Sequence, residues 1–279
     1  MARALVLGGG GVTGIAWEIG LLAGLRNVGV DLSTTDLIVG TSAGSVVGAL
    51  VATAVDLDQA VSFFQAAGGG GEELSLQLDL SLIAQAFGIV SDTALESADA
   101  RARLGRLALA APLGEDRVQV DRFAALLPVH DWPAQPRLVI TVVDANTGEP
   151  AAWDDADGIP LVRAVAASCA VPCVFPPVSI NGGRYMDGGV RSVTNADLAA
   201  GAKAVVVIAP VVGLFRTSPE AELRELGDVR SILVSPDEAA EEAIGPNVLD
   251  ASRTAVSLAA GVAQGEAIAA RVGAVWGTT

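Results

Sequence analysis

Three short constellations hold residue types that could do covalent chemistry. Gly40-Thr41-Ser42-Ala43-Gly44 is a G-x-S-x-G pattern that follows the apolar run Leu37-Ile38-Val39 and leads into an apolar helical stretch. That is the context in which such a serine is a nucleophile on a strand-to-helix turn. A serine there sits in strained backbone space, so its neighbours Gly40 and Gly44 must lack side chains. The following helix aims its positive end at the serine and favours a developing anion. The competing reading is a glycine-flanked turn whose serine only caps the helix.

The second constellation is Gly9-Gly10-Gly11-Val12-Thr13-Gly14, which opens a helix directly after the first apolar run. Taken as G-x-G-x-x-G (Gly9, Gly11, Gly14), it matches a dinucleotide fingerprint and suggests a nucleotide-binding oxidoreductase. That reading needs an acidic residue at the end of the second strand. Asp31 and Asp36 lie near the required distance but precede residues 37–39. No Lys-Ser or Lys-Thr follows the glycines, which excludes a P-loop. Otherwise the segment is a turn whose backbone N–H groups converge on an oxygen at a helix start. The third constellation, Asp187-Gly188-Gly189, would ordinarily be a turn. It gains weight because a serine nucleophile needs a base. The one histidine, His130, sits in the proline-bounded stretch Leu127–Pro133, and no histidine follows a late acid. The Ser–acid–His order of α/β-hydrolases therefore cannot be built. The base is either His130 in an unusual order or a carboxylate acting directly, its pKa raised by burial.

In this order the three motifs resemble those of the patatin-like phospholipase family: a glycine-rich segment near the N-terminus, a G-x-S-x-G turn and an Asp-Gly-Gly base motif. The stretches Ala166–Pro177 and Asp144–Glu149 are similar to family segments as well, and the likeness spans about residues 3–210. The resemblance implies a three-layer α/β/α sandwich with a mostly parallel sheet. It implies Ser42 as nucleophile, Asp187 as general base and the N–H groups of Gly10 and Gly11 as oxyanion hole. Gly9, Gly14, Gly40, Gly44, Gly188 and Gly189 would support them. It further implies hydrolysis of lipid or phospholipid acyl esters without metal or cofactor. Thr13 stands where the family commonly has Arg or Lys, which moves the expectation from phospholipids toward neutral esters. A non-catalytic lipid- or acyl-binding protein, and acyl transfer to an acceptor other than water, stay open.

The elements that must position these residues follow from patterning. Strands are expected at Ala4–Leu7, Leu37–Val39, Val139–Val143, Ala204–Ile208 (fully apolar, hence central) and Arg230–Val234. Helices are expected at Val12–Asn27, Ala43–Ala54 and Val248–Val275. Alternating β and α units with apolar strands give a parallel sheet covered on both faces. Gly68–Glu73 reads as a hinge-like loop, and Leu74–Val90 as an ordinary packed helix, the sharper alternative being a mobile cover over an apolar groove. Pro219–Val229, laced with charge, reads as a solvated helix.

Composition limits the rest. The 279 residues, 51% hydrophobic, are expected to form one hydrolase domain over 1–279, with its motifs in 3–210 and C-terminal helices in 219–279. With 17 Lys plus Arg against 32 Asp plus Glu, the net charge is −15. That disfavours nucleic acid, which needs a basic footprint, and strong attraction to anionic membranes. The expected partners are an acyl ester or lipid and a transient membrane or micelle contact. Two cysteines, Cys169 and Cys173, read as small buried hydrophobes, and a single histidine rules out a His-rich metal site. Gly8–Gly11 and Glu18 interrupt the apolar N-terminal stretch, so neither a cleaved leader nor a spanning helix is expected and the protein is placed in the cytoplasm.

Overall fold

A computed structural model describes residues 2–66, 79–212 and 217–277. Its strands are β1 Arg3–Leu7, β2 Leu37–Gly40, β3 Arg137–Asp144, β4 Pro150–Trp153, β5 Val178–Ile180, β6 Gly183–Asp187, β7 Ala204–Ile208 and β8 Arg230–Val234. Its helices are α1 Gly11–Asn27, α2 Ala43–Ala52, α3 Leu57–Ala66, α4 Leu80–Ser91, α5 Ser97–Ala110, α6 Asp116–Leu126, α7 Leu161–Ser168, α8 Pro219–Glu225, α9 Glu238–Ile244 and α10 Thr254–Trp276.

The apolar strands assemble as their composition requires. The sheet order is β5-β6-β3-β2-β1-β7-β8, with β4 also paired to β3. β3, β2, β1, β7 and β8 run parallel, whereas β4, β5 and β6 join antiparallel. The five predicted strands are present. The three antiparallel ones carry Pro150, Ser179, Arg184 or Tyr185, a composition without the apolar run or clean alternation that marks a strand. β7 lies between β1 and β8, and all five of its residues are buried.

Both faces are covered, giving the α/β/α sandwich. One face packs Leu5, Leu7, Ile38, Leu138, Ile140 and Val206 against α1, α2, α7 and α10. The other packs Ala4, Val6, Val39, Val205 and Val207 against Ala196, Ala199 and the α8 residues Leu223 and Leu226. α5 adds Leu109 over Val143, Ala145 and Met186. Every residue of α1 from Thr13 to Leu25 is buried, because α10 lies across its outer side. The backbones touch there: a Cβ on Gly20 would run into the Leu258 carbonyl, and one on Gly261 into the Trp17 carbonyl.

Three expectations need correction. The C-terminal helix begins at Thr254, and residues 248–253 are a turn with a short 3-10 segment at Ala251–Arg253. α8 is not simply solvated: Glu222 is buried and accepts hydrogen bonds from Thr194 Oγ1 (2.7 Å) and the Ala196 N–H (2.8 Å). α4 is not an ordinary packed helix. None of its residues is buried, and Leu80 and Phe87 are 73% and 58% exposed. Gly68–Glu73 lies outside the described residues.

Gly261→Val should destabilise the protein by about 2–4 kcal/mol, since overpacking here must push the α1 and α10 backbones away from each other. Urea unfolding at fixed pH measures it; a loss under about 0.5 kcal/mol would mean that α1 and α10 do not touch.

Candidate active site

The register of β3 sets the site. Gly40 at the end of β2 pairs with Ile140, and Asp187 at the end of β6 pairs with Val142. The two strand ends thus stop within two residues of each other along β3, and the Ser42 turn leaves the sheet where Asp187 arrives.

Ser42 has φ 52° and ψ −118°, a conformation that costs a non-glycine residue on the order of 1–3 kcal/mol. Close packing enforces it. A Cβ on Gly44 would run into the Leu7 carbonyl, and one on Gly40 would lie 2.7 Å from the Gly44 oxygen. The Ser42 side chain makes no capping bond to α2, which removes the reading of a serine that merely caps a helix. Its hydroxyl instead faces the Asp187 carboxyl and favours that group's charged form.

Asp187 is buried and its pKa rises to about 7, chiefly by desolvation, while the nearby Ser42 hydroxyl and the hydrogen bond from the Gly189 N–H (2.7 Å) oppose the rise. A carboxyl with that pKa is half ionised at neutral pH and can accept a proton. His130 is exposed, and its Nε2 contacts the carbonyl of Ala124 at 2.9 Å, so its partner lies only six residues away in sequence.

The glycine loop follows β1. The Gly8 N–H is shared between the Ile208 carbonyl (2.9 Å) and Glu18 Oε1 (3.1 Å), and the Gly9 N–H goes to the Val193 carbonyl (2.8 Å). The Gly14 N–H returns to the Gly10 carbonyl, and the Gly44 N–H reaches the Gly8 carbonyl, both at 2.9 Å. Among the described residues no acceptor takes the N–H of Gly10 or Gly11. Gly11, at φ +61°, opens α1, and a Cβ on it would strike the Val248 carbonyl. Thr13 is fully buried and bonds that same carbonyl through its N–H (3.2 Å) and Oγ1 (3.3 Å), so position 13 points into the protein. The dinucleotide reading loses its acid: Asp36 Oδ2 accepts the Arg3 N–H at 2.8 Å, at the opposite end of the strands from the glycines.

Several supporting residues escaped sequence reasoning. The end of α7 and the residues just after it hold the main chain at both positions: Ser168 Oγ accepts the Ser42 N–H (2.9 Å), and the Ala170 carbonyl accepts the Asp187 N–H (3.0 Å). The Cys169 thiol donates to the Ser42 carbonyl at 3.2 Å, and burial pushes its pKa up; both cysteines are free and buried. Asn195, with φ +52°, donates from Nδ2 to Thr41 Oγ1 (3.0 Å) and the Ser192 carbonyl (2.7 Å), and reaches Thr141 Oγ1 at 3.3 Å. It ties the serine turn, β3 and the loop after Asp187 into one buried network. Glu18 is fully buried, with Oε2 unpartnered, and burial raises its pKa well above the carboxylate range although the Gly8 N–H opposes this. Lone Asn, Ser and Glu residues in apolar stretches carry no pattern that announces such roles. Among the described residues no group of three or more His, Cys, Asp and Glu converges as metal ligands.

The patatin-like phospholipase family profile matches residues 5–200, and the chain belongs to that family. No curated protein matches it. Among solved structures it is similar to VipD from Legionella pneumophila, at 12% identity and a TM-score of 0.45, covering 95% of this chain and 66% of that one. It is also similar to the type III effector protein ExoU, at 14% identity and a TM-score of 0.37, covering 95% and 53%. The chain thus spans between half and two thirds of the length of either structure, and alignments this loose add nothing to the family match.

Because the folded pKa of Asp187 lies above its unfolded value of 3.8, its contribution to stability is fully present below about pH 4 and is lost as pH rises through about 7. Asp187→Asn should therefore be near neutral at pH 4 and stabilising at pH 8, on the order of 4 kcal/mol. Urea unfolding at the two pH values checks this; a variant less stable than wild type at pH 8 would contradict it.

Proposed function

We propose that the chain hydrolyses carboxylic esters of lipids, phospholipid acyl esters included, through a Ser42/Asp187 dyad. The observation that carries this reading is the placing of Ser42 and a buried Asp187, whose pKa is near 7, at strand ends that meet along β3. Family membership supports a lipid hydrolase; the phospholipase A type and the two-residue mechanism go beyond it.

In the first step, ionised Asp187 takes the proton of Ser42 Oγ as that oxygen bonds to the ester carbonyl carbon. The carbonyl oxygen becomes an oxyanion, and the N–H groups of Gly10 and Gly11 with the N-terminal end of α2 are suited to hold it. Collapse breaks the carbon–oxygen bond to the leaving alcohol, which takes the proton back from Asp187. A water then repeats the sequence: Asp187 accepts its proton, hydroxide adds to the acyl carbon, and Ser42 leaves with the proton returned. No imidazole is needed, because burial supplies the basicity that an exposed carboxylate lacks.

The chain acts as one hydrolase domain in a reducing, cytoplasmic setting, which the two free cysteines suit. No described helix is long and apolar enough to cross a membrane. Transient contact with a membrane or micelle would use α4, which exposes Leu80 and Phe87 and has no charged residue between Leu80 and Ser91.

Ser42→Ala should lower kcat on a p-nitrophenyl ester by about 10⁴-fold or more, and Asp187→Asn by at least about 10²-fold. His130→Ala should stay within about twofold, its ring lying outside the reacting groups. Wild-type kcat/KM should rise with pH through about 7, where Asp187 ionises. Loss of turnover in His130→Ala, or full turnover in Ser42→Ala, would overturn the dyad.

A further inference from the structure

α4 and α5 border a cavity that the chemistry above leaves unused. It encloses about 150 Å³, several times the space one water needs. Its wall includes Val90 at the end of α4, Ser97, Arg101 and Leu104 on α5, and Val190 and Arg191 from the turn after Asp187. Residues 97, 101 and 104 recur at the spacing of a single helix face. No acidic residue is among the described residues of that wall, in a chain with 32 Asp plus Glu against 17 Lys plus Arg.

The two arginines differ in what answers their charge. Arg191 grips Asp197 with two parallel bonds, at 2.9 and 2.6 Å, and this pairing raises its pKa. Arg101 gives its Nε–H to the Gly148 carbonyl at 2.7 Å and forms no ion pair among the described residues. Burial lowers its pKa, the Glu149 charge opposes this from farther off, and the Arg191 charge adds to it. Asp197 answers the charge of Arg191, whereas at Arg101 desolvation outweighs the Glu149 charge, so an anion entering the cavity would favour Arg101 above all. The guanidinium fork suits a tetrahedral oxyanion with two oxygens on one side, and Ser97 offers a neutral donor one helical turn away.

We propose that this cavity is a phosphate-binding site, with Arg101 as its principal ligand and Ser97 as second donor. The phosphate is either the phosphodiester of a lipid headgroup or free inorganic phosphate. Arg191 lies four residues beyond Asp187, so a headgroup seated here would lie beside the turn that carries the base. With Thr13 turned inward, the glycine loop offers no cation of its own, whereas Arg101 shares a cavity wall with Val190 and Arg191 of the turn after Asp187. The headgroup case rests on the hydrolase reading above; the free-phosphate case does not.

Two arms on the full chain test it. In the first, millimolar inorganic phosphate raises the Tm of wild type above that in chloride at matched ionic strength. The rise disappears in Arg101→Gln and persists in Arg106→Gln, an exposed arginine on the same helix. In the second, the ratio of kcat/KM for a monomeric short-chain phosphatidylcholine to that for the matched diacylglycerol falls about tenfold in Arg101→Gln, through KM. Both responses, or the second alone, assign the headgroup; the first alone assigns free phosphate; neither response overturns the site. Should Arg101→Gln fail to fold by circular dichroism, Arg101→Lys and Ser97→Ala take its place, and full wild-type responses in both overturn it. An Arg101-dependent Tm rise in a protein that hydrolyses neither lipid keeps the site and removes the hydrolase reading.

Discussion

The structure turns on the burial of one carboxyl group beside one hydroxyl. Asp187 lies buried at the end of β6, with the Gly189 N–H bonded to its carboxyl and the Ser42 hydroxyl beside it. Desolvation of that kind works against folding whenever the group is charged. It also makes a carboxylate basic enough to act near neutral pH. One displacement from solvent thus raises the basicity of the carboxyl and takes stability from the fold.

The surroundings keep the carboxyl away from bulk solvent. A Cβ on Gly188 would collide with Thr141, so the chain can turn sharply against β3 only at glycine. Asn195, held from its other side by Arg191 (2.7 Å), fixes the loop beyond that turn to Thr41 and β3. The end of α7 binds the main chain of Ser42 and Asp187 together. Beneath the glycine loop, Glu18 gives the Gly8 N–H a second acceptor from within α1, and its high pKa keeps negative charge away from the place where an oxyanion would form. Position and electrostatics are set by the same few side chains.

What the sequence made legible follows from how local each signal is. Ser42, Gly40 and Gly44 lie within five residues, and the tight turn at Ser42 leaves no room for a Cβ on either glycine, so the turn was readable without coordinates. The parallel strands were readable because burial on both faces leaves an unbroken apolar run. β4, β5 and β6 were not, since Pro150, Arg184 and Tyr185 break that signal and pairing with β3 supplies the order instead. The link from Thr13 to Val248 spans 235 residues, and no local pattern carries it. Asn195, Ser168 and Glu222 likewise act through contacts between distant segments, and α8 and the turn before α10 brace the site by such contacts.

The claim most open to direct measurement is that Ser42 is activated by a carboxylate titrating near neutrality. A fluorophosphonate probe reacts with such a serine, and peptide mass mapping identifies the modified residue. The rate of labelling at Ser42 should rise with pH along a single curve with a midpoint near 7, and Asp187→Asn should flatten that curve. Labelling at any other serine, or a pH-independent rate in wild type, would contradict the account.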